Sequence, residues 1–338
     1  MGASRFSFAV CVTALLAAGC GTAQPPMTLS GAQSLSPGAH RRTACPCVYV
    51  TNLGRDSVTV YPLKAYGDVK PLQEIRGSQT GLGHPHDVAV DDSGKIYVAN
   101  AYPPSVTVYG SGANGNVKPI ATIGGSHTKL ALPTGIAVDP SSGAIYVSNI
   151  AGGRSQKGSV TVYDAGSNGD VSPIVIIQGA KTQLNHPNCL ALDAHDNVAV
   201  TNAYGSVTFY AAGSNGDVAP IRTIAGNLTN LHDPTQVTVD SALNAYVANA
   251  DGNSLTVYSA EAQGNVAPVQ DVAGRRTGLH VPGGIAVDGA RNIYAASGIG
   301  SQSSATVYAA GATGNMRPIA TIKGSHTGLA FPQGIAIR

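Results

Sequence analysis

The chain has 338 residues, enough for one large domain or two ordinary ones, and it carries 42 Gly, 20 Pro and only 11% charged residues. Such a composition excludes a helix bundle, a coiled coil and a disordered acidic or basic tail. With 20 Lys plus Arg against 18 Asp plus Glu the net charge is +2, which argues against a mainly electrostatic nucleic-acid binder. There is no Trp, and Glu74 and Glu261 are the only two glutamates, so the supply of acid–base groups is narrow.

At the N-terminus, Arg5 is the only charged side chain before residue 41, and Phe6 to Ala18 form an apolar run. This run has the length of a signal peptide and is too short to span a bilayer comfortably. The sequence Leu16-Ala17-Ala18-Gly19-Cys20 resembles the bacterial lipobox, with Ala17 where that motif usually has Leu. The resemblance implies a signal peptide over 1–19 and a diacylglyceryl anchor on the Cys20 thiol, with cleavage without lipid as the alternative. Residues 20–44 are rich in Pro, Ser, Gly and Ala without hydrophobic period, which predicts a flexible tether. The expected location is therefore extracytoplasmic and lipid-anchored to the cell envelope, at the outer membrane if the cell is Gram-negative, since Gly21 and not Asp follows the Cys.

From Cys45 to Arg338 one unit recurs six times. It opens as PHDVAVDDSGKIYVAN at Pro85, PTGIAVDPSSGAIYVSN at Pro133, PNCLALDAHDNVAVTN at Pro187, PTQVTVDSALNAYVAN at Pro234 and PGGIAVDGARNIYAAS at Pro282. The sixth copy is divided: PQGIAIR begins at Pro332 and stops, and its missing VYVTN lies at Val48 to Asn52. SVTVY-like runs start at Ser57, Ser105, Ser159, Ser206, Ser254 and Ser304, and the prolines that follow them, from Pro71 to Pro318, are 48, 54, 47, 48 and 50 residues apart. Each unit therefore predicts four short strands bounded by Gly, Asn, Asp or Pro. Neither face of SVTVY is charged, so both faces must be covered, and radial stacking about an axis covers them. The predicted fold is all-β: a six-bladed β-propeller of four-stranded antiparallel blades over 45–338, its ring closed by pairing of the C-terminal strand with the N-terminal strands.

Tyr49-Val50-Thr51-Asn52 matches the signature of YVTN-type propeller repeats, and PTGIAVDPSSGAIYVSN is similar to NHL repeats. This resemblance covers about Val48 to Arg338. It implies a fold shared by extracytoplasmic binding and scaffold proteins and by a few enzymes. It also implies that each PxGIAVD segment is the innermost strand, starting at the top of a central channel, so the two residues after each Pro are expected to ring its mouth.

The second of those positions is Gly at Gly135, Gly284 and Gly334, and the exceptions are polar. They give His86 and Asp87, Asn188 and Cys189, Thr235 and Gln236, with Gln333 ahead of a Gly. The loops after each YVAN segment are expected on the same face and add Tyr102, Arg154 in the longest insertion, Tyr204 and Asp251. The candidate ligand-binding set is thus His86, Asp87, Tyr102, Arg154, Asn188, Tyr204, Gln236, Asp251 and Gln333. The recurring Asp91, Asp139, Asp193, Asp240 and Asp288 read as turn caps and not as a carboxylate ring.

No catalytic residue, metal site or cofactor is assigned. Propeller lactonases and gluconolactonases, by resemblance, hold Ca²⁺ or Zn²⁺ with Glu, Asn and Asp at the channel top. Streptogramin-lyase propellers pair a His base with Glu and Mg²⁺. Glu74 and Glu261 fall in an outer strand and a turn, where neither suits those roles. A metal held by His86, Asp87, Asn188 and Cys189 would need ligands from roughly opposite sides of the mouth. Cys45, Cys47 and Cys189 leave an odd count after the anchor, a free thiol is expected, and the CPC pair does not readily close an unstrained bridge. The leading reading is a non-catalytic module that binds a polar small molecule, a glycan or an envelope protein, with membrane contact through the lipid anchor and no nucleic acid. The alternative is a metal-dependent lactonase-like or lyase-like propeller enzyme with His86 as base, and a third reading is a purely structural surface protein.

Overall fold

A computed structural model describes residues 46–151 and 158–338. The predicted signal peptide, Cys20, the tether and Arg154 lie outside the described residues. The unit Thr43–Arg338 contains all the strands described, and they form six four-stranded antiparallel sheets. Blade 2 illustrates the unit: Pro85–Val90 innermost, then Ile96–Asn100, Ser105–Tyr109 and Ala121–Gly124 at the outside. Blades 3 to 6 repeat this order with inner strands Pro133–Val138, Pro187–Leu192, Pro234–Val239 and Pro282–Val287.

Blade 1 is assembled from both ends of the chain, as the divided repeat predicts. Its inner strand is Pro332–Ile337, which pairs with Cys47–Asn52 through Val48 opposite Ile337, Tyr49 opposite Ala336 and Val50 opposite Ile335. Ser57–Pro62 and Gln73–Arg76 complete it. Each inner strand contacts the inner strand of the next blade, and the series returns to its start.

A strand puts alternate side chains on opposite faces, and here both faces meet another blade. The buried apolar residues accordingly form six clusters between neighbouring blades and no single core. Tyr61, Tyr109, Tyr163, Tyr210, Tyr258 and Tyr308, at the ends of the SVTVY strands, are completely buried. A phenol needs a partner when it is buried this deeply. Each donates to the backbone carbonyl of the Thr in the segment that closes a unit: Tyr109 to Thr80 at 2.6 Å, Tyr163 to Thr128 at 2.6 Å, and Tyr61 to Thr327 across the join of the two termini.

The outer rim carries a second six-fold device. The outermost strand of each blade makes one parallel bridge to the Gly of the next blade's NG, GD or GN turn, from Ile75–Gly115 round to Ile322–Gly67. The residue after those turns accepts a backbone N–H from the blade before, as Asn116 does from Gln79 and Asp170 from His127, both at 2.7 Å.

The recurring Asp residues are the turn caps that the sequence implies. Asp91 Oδ1 accepts the Ser93 and Lys95 amides at 2.9 Å, and Asp139 Oδ1 accepts the Ser141 amide at 2.8 Å. Burial raises the Asp139 carboxyl, but the Ser142 and Ser141 hydroxyls, and then the backbone amides of the same turn, outweigh it and hold the group down at about 2. The Asn of each YVAN segment is equally structural: Asn100 donates to Thr107 at 3.0 Å and accepts the Gly83 amide at 3.2 Å. Cys47 is disulfide-bonded, while Cys189 is free and buried, the free thiol that the sequence implies.

Candidate functional site

The inner strands start at the top of the channel, each with its Pro opposite the last residue of the neighbouring strand, as Pro85 is opposite Asn100. The loops that follow those second strands therefore rise on the same face. Tyr102 and Tyr204 stand there, 56% and 71% exposed, held edge-on by His84 and His186 at centroid distances of 5.4 and 5.2 Å. The first described strand begins at the other end, where Cys47 and Arg338 exchange backbone hydrogen bonds.

Both positions after each Pro line the upper end of the channel, and they do different things there. The second position closes the channel. Asp87 in blade 2 and Gln236 in blade 5 face each other across the axis, and Gln236 Nε2 donates to Asp87 Oδ1 at 2.7 Å. Asp87 Oδ1 also accepts the Val88 amide at 2.9 Å, and Oδ2 accepts the Ile136 amide at 3.0 Å and the Cys189 thiol at 3.3 Å. Gln236 Oε1 accepts the Ile285 amide at 2.6 Å. Blades 2, 3, 4, 5 and 6 are thus tied together at one level by a buried septum, with Asp87 3%, Cys189 3% and Gln236 6% exposed.

The three glycines at this position have a steric cause. A Cβ on Gly334 would lie 2.4 Å from Asp87 Oδ1, one on Gly284 2.3 Å from the Gln333 carbonyl, and one on Gly135 2.6 Å from the Cys189 Cα. Gly135 lets Cys189 of blade 4 reach Asp87 of blade 2, two groups that the sequence reading places on opposite sides of the mouth. Burial pushes the Asp87 carboxyl up to about 6, with its four donors pulling the other way, and it raises the Cys189 thiol well above its ordinary value, helped by the Asp87 charge.

Above the septum lies a cavity of about 200 Å³. Its wall is made by the first position after each Pro, namely His86, Thr134, Asn188, Thr235, Gly283 and Gln333, together with Asp233. Thr134 and Thr235 donate to the carbonyls of Pro187 and Pro282 in the next blade, at 3.2 and 2.9 Å. Asn188 Nδ2 donates to the Pro234 carbonyl at 2.9 Å and approaches Asp233 Oδ1 at 3.5 Å. Among the described residues the His86 imidazole and the Gln333 amide have no hydrogen-bond partner. Burial, and then the charge of His84, pull His86 down to about 4, so it is neutral at pH 7. Asp233 is raised by burial and then by the charge of Asp251, an exposed neighbour on the same face.

Below the septum a second cavity, of about 450 Å³, is lined by Val90, Val138, Leu192, Val239, Val287 and Ile337 and by the free edges of the inner strands. The septum residues Asp87 and Gln236 belong to both cavities.

The fold therefore gathers His86, Asn188 and Gln333 at one cavity, places Asp87 and Gln236 in its floor, and leaves Tyr102, Tyr204 and Asp251 outside its wall. Asp233 was missed, although its position carries a signal: the residue before the Pro is His84, Leu132, His186, Val281 or Phe331 in the other units. All six have positive φ, between 46° and 54°. Glu74 sits in the outer strand Gln73–Arg76 beside Arg55 at 3.9 Å. No group of three or more His, Cys, Asp or Glu among the described residues is arranged to hold a metal ion.

Comparison with solved structures bears out the propeller. The chain is similar to a protein of unknown function from Bacteroides caccae at 10% identity, with a TM-score of 0.63 over 86% of this chain and 98% of that one. It is also similar to the WD40 β-propeller domain of Doa1, at 11% identity and a TM-score of 0.53 over 83% and 80% of the two chains. Likeness at such identities speaks for the fold alone. No curated protein matches the chain. A family model described as "Lactonase, 7-bladed beta-propeller" matches residues 27–198, half of the sequence. The chain belongs to that lactonase propeller family, and within it builds six blades.

Proposed function

We propose that this protein is a non-catalytic binding propeller, held at the cell envelope by a lipid on Cys20, whose upper cavity receives a small polar ligand or the polar end of a glycan or envelope protein. One observation carries this reading: polar groups without protein partners converge on the cavity while the floor beneath them is chemically saturated. The His86 ring, the Gln333 amide and Asn188 Oδ1 come from three different blades and face one space. Asp87, in contrast, accepts four hydrogen bonds and has no lone pair directed at a substrate. A volume of about 200 Å³ is below the roughly 300–1,000 Å³ of drug-sized sites. It suits one sugar-sized group, with Tyr102 and Tyr204 as platforms for the rest of a longer ligand.

Thermal unfolding against a panel of neutral, anionic and cationic sugars and short glycans tests the reading. A ligand at about 100 times its Kd contributes about 2.7 kcal/mol, a rise of several degrees for a domain of this size. No shift with any member of the panel would count against it.

The family match favours a second reading, hydrolysis of a lactone in the same cavity. Asp233 is then the available carboxylate, because Asp87 is sequestered in the septum. The metal-dependent form of this reading finds no ligand set among the described residues. Lactone turnover that is lost in Asp233→Asn would establish it in place of the binding module.

A further inference from the structure

The charges around the upper cavity point to the kind of ligand, an inference that rests on the binding reading above. Its wall and floor hold two carboxylates, Asp87 and Asp233, and no Lys or Arg. The one basic group, His86, is neutral at pH 7. Asp233 is half-buried and faces Asn188, with a second carboxylate, Asp251, close enough to raise its pKa further. A carboxylate in that position is uncompensated: burial removes water, the nearest charge has the same sign, and its one protein partner is an amide at 3.5 Å. The rim adds the exposed rings of Tyr102 and Tyr204, whose faces attract cations.

We infer that the upper cavity binds a small organic cation, an amine or amino sugar whose ammonium group sits against Asp233 and Asn188 Oδ1. An ammonium has three donors and no acceptor, which matches a wall supplying the Asp233 carboxylate and the Asn188 and Gln333 carbonyl oxygens. The cavity volume admits a single amino sugar. Like charges focused at a concave mouth also raise the local concentration of a cation.

Calorimetric titration of the full chain at pH 7.5 and low salt tests this with two matched pairs, glucosamine with glucose and ethanolamine with ethylene glycol. Within a pair the members differ essentially by ammonium against hydroxyl. The ammonium member is expected to bind at least about tenfold tighter, with an affinity that falls as salt is added. Asp233→Asn is expected to bring the two members within about twofold of each other. Asn tolerates the left-handed backbone at this position, φ 48°, so the fold should survive. Asp251→Asn, on the exposed rim, is expected to weaken amine binding by about two- to threefold and gives an independent reading of the same field. Equal affinity for the neutral members would overturn the cation inference and leave the polar-cavity reading standing. Binding by no member of either pair would overturn both.

Discussion

The two halves of the six inner strands obey different rules. Their last three residues read VAV, IAV, LAL, VTV, IAV and IAI, while their first three read PHD, PTG, PNC, PTQ, PGG and PQG. The lower half packs against neighbouring blades, and six equivalent environments accept six equivalent residues. At the septum the six third positions converge on one axis and compete for the same space, so they cannot all be alike. Three glycines and the trio Asp87, Cys189 and Gln236 solve that problem together. Irregularity at this level is thus a consequence of packing on an axis. The irregular residues one position earlier, His86, Asn188 and Gln333, line the cavity above it.

Removing Pro332 to Arg338 breaks the regular half most severely. It deletes the inner strand of blade 1 and exposes the Val48–Val50 face, including contacts to Ile335, which is 2% exposed. Truncating one such residue costs about 2–5 kcal/mol, and a whole strand approaches the total stability of about 5–15 kcal/mol. The truncated protein is expected to lose cooperative unfolding by circular dichroism; a melt equal to that of the full chain would refute ring closure.

Gly334→Ala attacks the septum next. The new methyl meets the Asp87 carboxylate and Cα, at 2.4 and 2.6 Å, where there is no free volume. Overpacking of this kind costs about 1–3 kcal/mol, to be read from urea denaturation, whereas Gly289→Ala, with nothing within 4 Å, is expected to change little.

A pH series separates the two levels. Asp87 titrates at about 6 in the folded protein, above its ordinary value, so it contributes stability that is full at low pH and is lost as pH rises through 6. His86 titrates at about 4, below its ordinary value, so it contributes stability that is full above pH 6.5 and is lost as pH falls through 4. Between pH 4 and 6.5 the two oppose each other. His86→Gln is therefore expected to gain stability on acidification through this window and Asp87→Asn to lose it, each by up to about 1.4 kcal/mol per pH unit. Parallel stability curves for the two variants would contradict the assigned environments.

The smallest effect belongs to the outer rim. Asn116→Ala removes one side-chain acceptor for the Gln79 amide and is expected to cost about 1 kcal/mol, with no effect on ligands.

The fold was legible because the sequence writes it six times. The period, the turn residues and the divided sixth copy each pointed to a closed ring. The site was legible only in part. Polar residues after each Pro mark the channel, but their spacing does not encode that Asp87 and Gln236 meet across it. That depends on their being three blades apart and on glycines that let the intervening backbones approach. Asp233 is not marked by that spacing because it precedes the Pro, where a left-handed backbone also brings its residue to the cavity.

The most direct test of the central claim replaces the three irregular wall residues with the one that this position holds in blades 3 and 5, Thr134 and Thr235. The triple variant His86→Thr, Asn188→Thr and Gln333→Thr is then titrated beside the unmodified chain with whichever polar ligand shifts its melting. The account predicts a melting temperature within a few degrees of the original and at least about a tenfold loss of affinity. Undiminished binding by the triple variant would show that the cavity above the septum is not where this propeller recognises its ligand.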